Sequence, residues 1–544
     1  MPKVRVASID EVGEGRLRRV DADGRPLIIS RINGKFAAIE AICSHAGGRL
    51  EDGEIEDGCV VCPVHGAIFD LATGKVSPET GWATDLQAFP VSVEGNDLLL
   101  ETLERGPSHP NVQAGEARPP GREANAAACP VSGAAGGLDF DPMAPDQREC
   151  PFDLYARARR EMPIFYSDRF NLWVVARHQD VVAILKDSMR FSSAQSLSVD
   201  SAVPPEVQAV LDNGYPATPT MVTADPPVHT RYRELVSKAF TSRRVAVMEP
   251  RMREIAHKLV DGFYRDGRVD IVREYAYPLP MEIIAEILGV PAADMQKFKR
   301  WSDDMSARFG PLALDRHVEC ARSEVEFQHY FAAQLEERRR VPKDDILTDL
   351  LNARVKGEAP LDMPEMLSIL KQLLIGGNET STNLIGSMML LLLNNPDQLA
   401  AVLKDRSLEQ NAVEEALRLD SPVQGLFRTA TQEVEIGGMR IPKGAHLEVL
   451  YASGNRDEAR FRDPDRFDVQ RRDAGGHVAF GFGIHFCIGA PLARYEGRVA
   501  LDVLLDRLPG LHLAPGQDLQ HHPHFFLRGL KELVLEWDTA QQSR

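Results

Sequence analysis

The sequence predicts a multidomain protein in which a small all-β domain precedes a larger, mainly helical α+β domain. Three observations predict it. At 544 residues the chain exceeds what a single hydrophobic core usually supports. Its opening stretch alternates short β-type runs with Gly, Asp and Asn turns, whereas beyond Leu138 long amphipathic runs of helical period take over. Between them, residues 104–137 are rich in Pro, Gly and Ala and almost free of large apolar side chains, the composition of a flexible linker. The expected domains are therefore 1–103, a linker over 104–137, and 138–544.

In the first domain the strand candidates are "PLIIS", "CVVC" and "VSVEGNDLLLET". In the second, "MREIAHKLVDGFYRDG" and "FQHYFAAQLEERRR" read as helices, and "NLWVVAR" and "EVEIGGMRIP" as short strands. The segment 364–394 opens at a proline and stops before Pro396, which predicts one long helix spanning roughly 45 Å at 1.5 Å per residue. A net charge of −17 argues against nucleic acid or an anionic membrane as the main partner. The N-terminus lacks an apolar secretory core, and the most apolar run, "LIGSMMLLLL", is too short to span a bilayer. A cytoplasmic protein with no membrane segment is expected, and its seven cysteines suit a reducing compartment where thiols bind metals or stay free.

Two constellations carry chemistry. The first is Cys43-Ser-His45 with Cys62-Pro-Val-His65, two short loops that each offer a thiolate and an imidazole. A tetrahedral zinc site uses the same ligand types, although C-x-H paired with C-x-x-H is an unusual zinc spacing. The double motif resembles the Rieske iron–sulfur family over about residues 1–103. That resemblance implies a [2Fe-2S] cluster with the cysteines on one iron and the histidines on the other. Gly48 and Val64 stand where high-potential members carry a disulfide, so the resemblance is to the low-potential ferredoxin type, an electron carrier. Cys59 sits off the motif and reads as an ordinary strand cysteine. The acidic run "EDGEIED" between the loops reads as solvated surface.

The second is "FGFGIHFCIG", Phe480 to Gly489, where Cys487 precedes helix-type sequence and a helix N-terminus would favour its thiolate. Glycines on either side would let a flat macrocycle approach the backbone. The loop resembles that of the cytochrome P450 family, F-x-x-G-x-H-x-C-x-G, and the resemblance extends over about 138–544. It implies haem b with Cys487 as axial ligand to iron, and a loop built on Phe480 and Gly489. It implies a structural network from Glu415 and Arg418, with Arg466 as candidate third member. His229, Arg233, Arg428 and His485 would be ligands for the haem propionates. In the long helix, Gly376-Gly377-Asn-Glu379-Thr380 resembles the family's (A/G)-G-x-(D/E)-T, where glycines that each cost roughly 1 kcal/mol against alanine would widen the groove for O2 and water. Thr380 would hydrogen-bond the oxygen and Glu379 would feed protons.

Together these readings predict a monooxygenase that inserts one atom of O2 into a small organic substrate. Electrons would pass through its own Rieske domain from an NAD(P)H-dependent flavoprotein ferredoxin reductase, because the chain has no G-x-G-x-x-G signature. A redox-sensing or electron-transfer protein and a peroxide-driven P450 are the alternatives. A Rieske non-haem oxygenase would need a D-x-x-H-x-x-x-x-H run, which the sequence lacks. Substrate contacts are expected before Asp225, around Leu374 to Thr380, around Gln424 to Phe427 and in "HHPHFFLRGL".

Overall fold

A computed structural model describes residues 3–22, 24–44, 49–56, 58–62, 67–77, 85–101, 138–197, 203–237, 242–310, 312–355 and 357–539. The expected linker, His45 and His65 lie outside the described residues. The chain divides into two compact units, Met1–Gly137 and Leu138–Arg544.

In the first unit the strands Leu17–Ala22, Arg25–Ile32, Lys35–Glu40 and Ala88–Phe89 form an antiparallel sheet in that order. Period-two alternation gives this sheet two buried faces. Leu27 and Ile29 enter a core with Leu98 and Leu100, while Ile28 enters another with Cys43, Cys62 and Phe69. The second core ties the sheet to a small three-stranded sheet, Glu54–Glu56, Cys59–Val61 and Ile68–Asp70. Cys59 is a strand residue, as expected. The acidic run is not simply solvated: Glu51 is mostly buried and pairs with Arg19 and with Arg49, the latter at 2.8 Å.

The second unit is built around the helix Met363–Asn394. Pro364 stands in its first turn, and Asp362 and Glu365 close its N-terminus as a capping box, Asp362 accepting from the Glu365 N–H at 2.9 Å. From Met366 to Leu392 this helix is largely buried against the helices Pro278–Ile287, Glu409–Leu419 and Ala490–Arg507. Beside this helical body lies a five-stranded mixed sheet ordered Ile164–Ser167, Leu172–Val175, His446–Val449, Leu426–Ala430 and Phe191–Ser192. No helix among the described residues is long and apolar enough to cross a membrane. Cys150 is in a disulfide, contrary to the expectation that thiols bind metals or stay free.

Candidate functional site

Cys487 sits on a loop that folds back on itself. Its N–H donates to the Phe480 carbonyl at 2.9 Å, and the Phe486 N–H donates to the Gly483 carbonyl at 3.0 Å. The flanking glycines serve this turn more directly than any approaching ligand. Gly481 and Gly483 have φ near +70°, and a Cβ on Gly483 would lie 2.6 Å from the Leu185 carbonyl oxygen. Three residues on, Ala490 begins the helix Ala490–Arg507. Burial pushes the Cys487 thiol up, against the N–H groups of Gly489 and Ala490 and the charges of Arg233 and Arg494. The helix terminus therefore favours the thiolate, as the sequence suggested, but does not by itself outweigh burial. Arg494 braces the loop by lying 4.7 Å over the Phe480 ring while donating to Glu414 at 2.6 and 3.0 Å.

The cysteine opens on a cavity of about 480 Å³. His229 and Arg233 reach it from the helix Val228–Ser237, Arg428 from its strand and His485 from the cysteine loop. These four side chains, dispersed over 257 positions of sequence from 229 to 485, converge here. The two imidazoles lie 4.2 Å apart, centroid to centroid. Burial, then neighbouring Arg233, push His229 down to about 4, and burial, then Arg428, push His485 down to about 3. Both rings are neutral at pH 7, yet both nitrogens of His229 and Nε2 of His485 are buried without a partner. Such orphaned polar atoms cost free energy unless something supplies partners, an acceptor for each N–H among them. Arg233 donates to the Phe486 carbonyl and Arg428 to the Phe427 carbonyl, each at 2.7 Å. Two guanidinium groups and two unsatisfied imidazoles beside a thiol fit an anionic macrocycle ligated through sulfur.

Opposite runs one face of the long helix. Gly376 meets open space there, whereas a Cβ on Gly377 would press on Ile284 at 3.2 Å. The helix continues unbroken through both, without an interruption that would widen it. Thr380 lines the cavity and its Oγ1 donates to the Gly376 carbonyl at 2.7 Å. Glu379 does not line the cavity: its carboxyl lies with Ser306 and Asp303, and burial raises its pKa.

Behind the cysteine loop, Arg418 and Glu415 are fully buried and joined by bonds of 2.7 and 2.9 Å. Their third member is Arg471, which donates to Glu415 at 2.9 Å. Arg466, the candidate from sequence, is exposed and contributes only its carbonyl oxygen. Arg471 lies 56 positions from Glu415 with no periodic signal connecting them.

In the first unit, Cys43 and Cys62 are buried and belong to one core. Backbone bonds flank both: the Leu50 N–H donates to the Ala41 carbonyl at 2.9 Å, and the Cys62 N–H to the Ala67 carbonyl at 2.7 Å. Neither cysteine is in a disulfide. Two buried thiols in one core fit the cysteine half of a [2Fe-2S] site.

Comparison with known proteins agrees with both units. The family model for cytochrome P450 matches residues 165–533, and that for the Rieske [2Fe-2S] domain matches residues 2–90. The chain is 37% identical to the cytochrome P450 monooxygenase PikC of Streptomyces venezuelae over 75% of its length and 95% of the relative's. It is 40% identical to 6-deoxyerythronolide B hydroxylase of Saccharopolyspora erythraea over 71% and 95%. Among solved structures, cytochrome P450 CYP109Q5 from Chondromyces apiculatus is 43% identical with a TM-score of 0.67, covering 74% of this chain and 98% of that one.

Proposed function

Because the chain belongs to the cytochrome P450 family and carries a Rieske [2Fe-2S] domain ahead of it, we propose that this monooxygenase draws its electrons through its own N-terminal domain. The source would be an external NAD(P)H-dependent flavoprotein reductase. The substrate is an organic molecule held in the cavity beside Cys487, and the reaction is hydroxylation or oxidative dealkylation in the cytoplasm. The observation that carries the catalytic part is the meeting of the Cys487 thiol with the unsatisfied His229 and His485 between two arginines. Haem bound there supplies reductive activation of O2, for which thiolate ligation is suited.

The chain's own residues have separable tasks. Cys487 holds the iron, while His229, Arg233, Arg428 and His485 hold the propionates and so fix the orientation of the ring. Arg494, packed on Phe480, keeps the loop in place. Gly376 leaves room above the reacting centre, and Thr380 presents a hydroxyl at that point of the wall. Burial favours a proton on Glu379, which sits off the cavity wall beside Ser306, so its delivery to Thr380 Oγ1 requires an intervening carrier. Cys43 and Cys62, with His45 and His65, hold the cluster. Carrying donor and acceptor on one chain gives an effective concentration of roughly millimolar order.

Paired variants separate the two halves. Cys487→Ser should lose the red-shifted Soret band of the reduced CO complex and all oxygenation, while the cluster's electron paramagnetic resonance signal stays. His65→Ala should do the reverse: it keeps the substrate-induced Soret shift and loses turnover driven by NAD(P)H and reductase. Wild-type turnover by His65→Ala without added ferredoxin would exclude the N-terminal domain as donor.

A further inference from the structure

The cavity has a second polar end that none of the family motifs explains. Glu324, on the helix Leu314–Arg340, and Lys371, on the long helix, both line it. Lys371 Nζ donates to Glu324 Oε1, and Arg308 donates to Glu324 Oε2. Two cations thus share one carboxylate, leaving the trio with a net charge of one positive unit. Burial pushes the Glu324 carboxyl up, but Lys371 and Arg308 outweigh burial and hold it below its ordinary value, so it is ionised at neutral pH. The neighbouring acid gives no relief: Asp304 is taken by Arg316 and by Ser323.

The geometry around Lys371 is that of a handle at the far end of a slot. Lys371, Ile375, Gly376 and Thr380 all line the cavity, Lys371 and Ile375 from one face of the helix and Gly376 and Thr380 from another, so the cavity curves around it. Nine residues separate Lys371 from Thr380, about 14 Å along the axis. The wall of the cavity also includes the apolar side chains of Val222, Ile284, Phe309 and Leu426. The ammonium of Lys371 has three N–H donors, of which Glu324 takes one, and its side chain is 31% exposed. A cationic ligand would meet excess positive charge and a carboxylate with both oxygens engaged. An anionic ligand would find unused donors and neutralise the trio.

We propose that Lys371 is a specificity-determining residue that binds the carboxylate end of an elongated, mainly apolar substrate, whose opposite end reaches the wall at Gly376 and Thr380. This deepens the monooxygenase reading and uses it only to say which end is oxidised; the binding itself is independent of turnover.

The test is calorimetric titration of the full-length holoprotein with dodecanoate, its methyl ester and dodecyltrimethylammonium, with the Soret shift recorded in parallel. Wild type should bind dodecanoate about tenfold tighter than the ester and bind the ammonium weakest. Lys371→Met should abolish the preference, and Lys371→Arg should keep it. Glu324→Gln, which removes the competing carboxylate, should tighten dodecanoate binding, and it carries the test if Lys371→Met fails to load haem. Equal binding of acid and ester, tighter binding of the ammonium, no binding of any probe, a preference that survives Lys371→Met, or a Glu324→Gln protein that binds dodecanoate no tighter would each overturn the proposal. A protein that binds dodecanoate through Lys371 but lacks the thiolate-type Soret band would instead overturn the monooxygenase reading alone.

Discussion

The larger unit holds two clusters of basic side chains, and they are built on opposite plans. In the Glu415–Arg418–Arg471 cluster every guanidinium donor of Arg418 is used: two bonds go to Glu415 and three to the carbonyls of Asn455, Pro464 and Arg466. In the His229–Arg233–Arg428–His485 cluster, three imidazole nitrogens are buried without any partner. Both clusters lie in the same fold and are made of comparable residues. The difference teaches how to tell a buried polar group that holds a protein together from one reserved for a ligand. The first is satisfied from within, and the second borders a cavity with its hydrogen-bonding capacity unspent.

Breaking the satisfied cluster should give the largest effect. Arg418→Ala leaves Glu415 buried with one partner fewer and takes the Arg418 donors from the carbonyls of Asn455 and Pro464, while the Arg466 carbonyl keeps Arg471 at 3.1 Å. A loss of about 3–5 kcal/mol is expected. Denaturation of the holoprotein should show it as a collapse of the haem-domain transition, with low haem content because the domain does not fold. A variant with wild-type thermal stability would contradict the structural assignment.

The unsatisfied cluster should respond differently. Arg428→Met removes a group whose guanidinium faces the cavity and donates to its neighbour's carbonyl, so the fold should survive. Haem retention should weaken by about 2 kcal/mol, as expected for loss of a charge-assisted hydrogen bond. Transfer of haem to apomyoglobin measures it: a rate unchanged from wild type would remove Arg428 from the propionate set.

The same contrast shows what could be read from sequence. Signals confined to a short stretch were legible, because a fixed spacing forces a fixed local geometry. Pro364 and Pro396 bracket the long helix that runs from Met363 to Asn394. His229 and Arg233, four apart, both reach the cavity. Pairings set by tertiary packing were not legible. Arg471 rather than Arg466 completes the buried network, and Glu414 meets Arg494 across 80 positions. Glu324 and Lys371 come from different helices 47 positions apart and form a wall that no motif announces. Glu51, read as part of a solvated acidic run, is drawn in by Arg19 on a different strand. In each of these cases the residue type was visible but its partner was chosen by the packing of distant elements.

The smallest effect tests whether an orphaned buried group always marks a ligand site. Glu448, in the strand His446–Val449, is almost fully buried, and its Oε2 has no partner, yet it does not line the cavity. Burial alone pushes its carboxyl well above the ordinary value of 4.5. The folded state therefore keeps a proton that the unfolded chain releases above pH 4.5. Since the folded state binds more protons, stability falls as pH rises from the unfolded carboxylate value toward the raised folded one. Glu448→Gln has nearly the same shape and nothing to titrate, so the slope disappears. The difference in stability between variant and wild type should shift in favour of the variant as pH rises above the unfolded carboxylate value. Haem content and substrate-induced Soret shift should stay as in wild type. Calorimetry of both proteins across that range reads the slope, and parallel stability profiles would show that Glu448 is ionised and paired in the folded state. A slope with unchanged haem binding would place Glu448 in a third class, a buried acid that is neither structural anchor nor ligand contact. Proximity to the cavity, and not the missing partner alone, would then be what singles out His229 and His485.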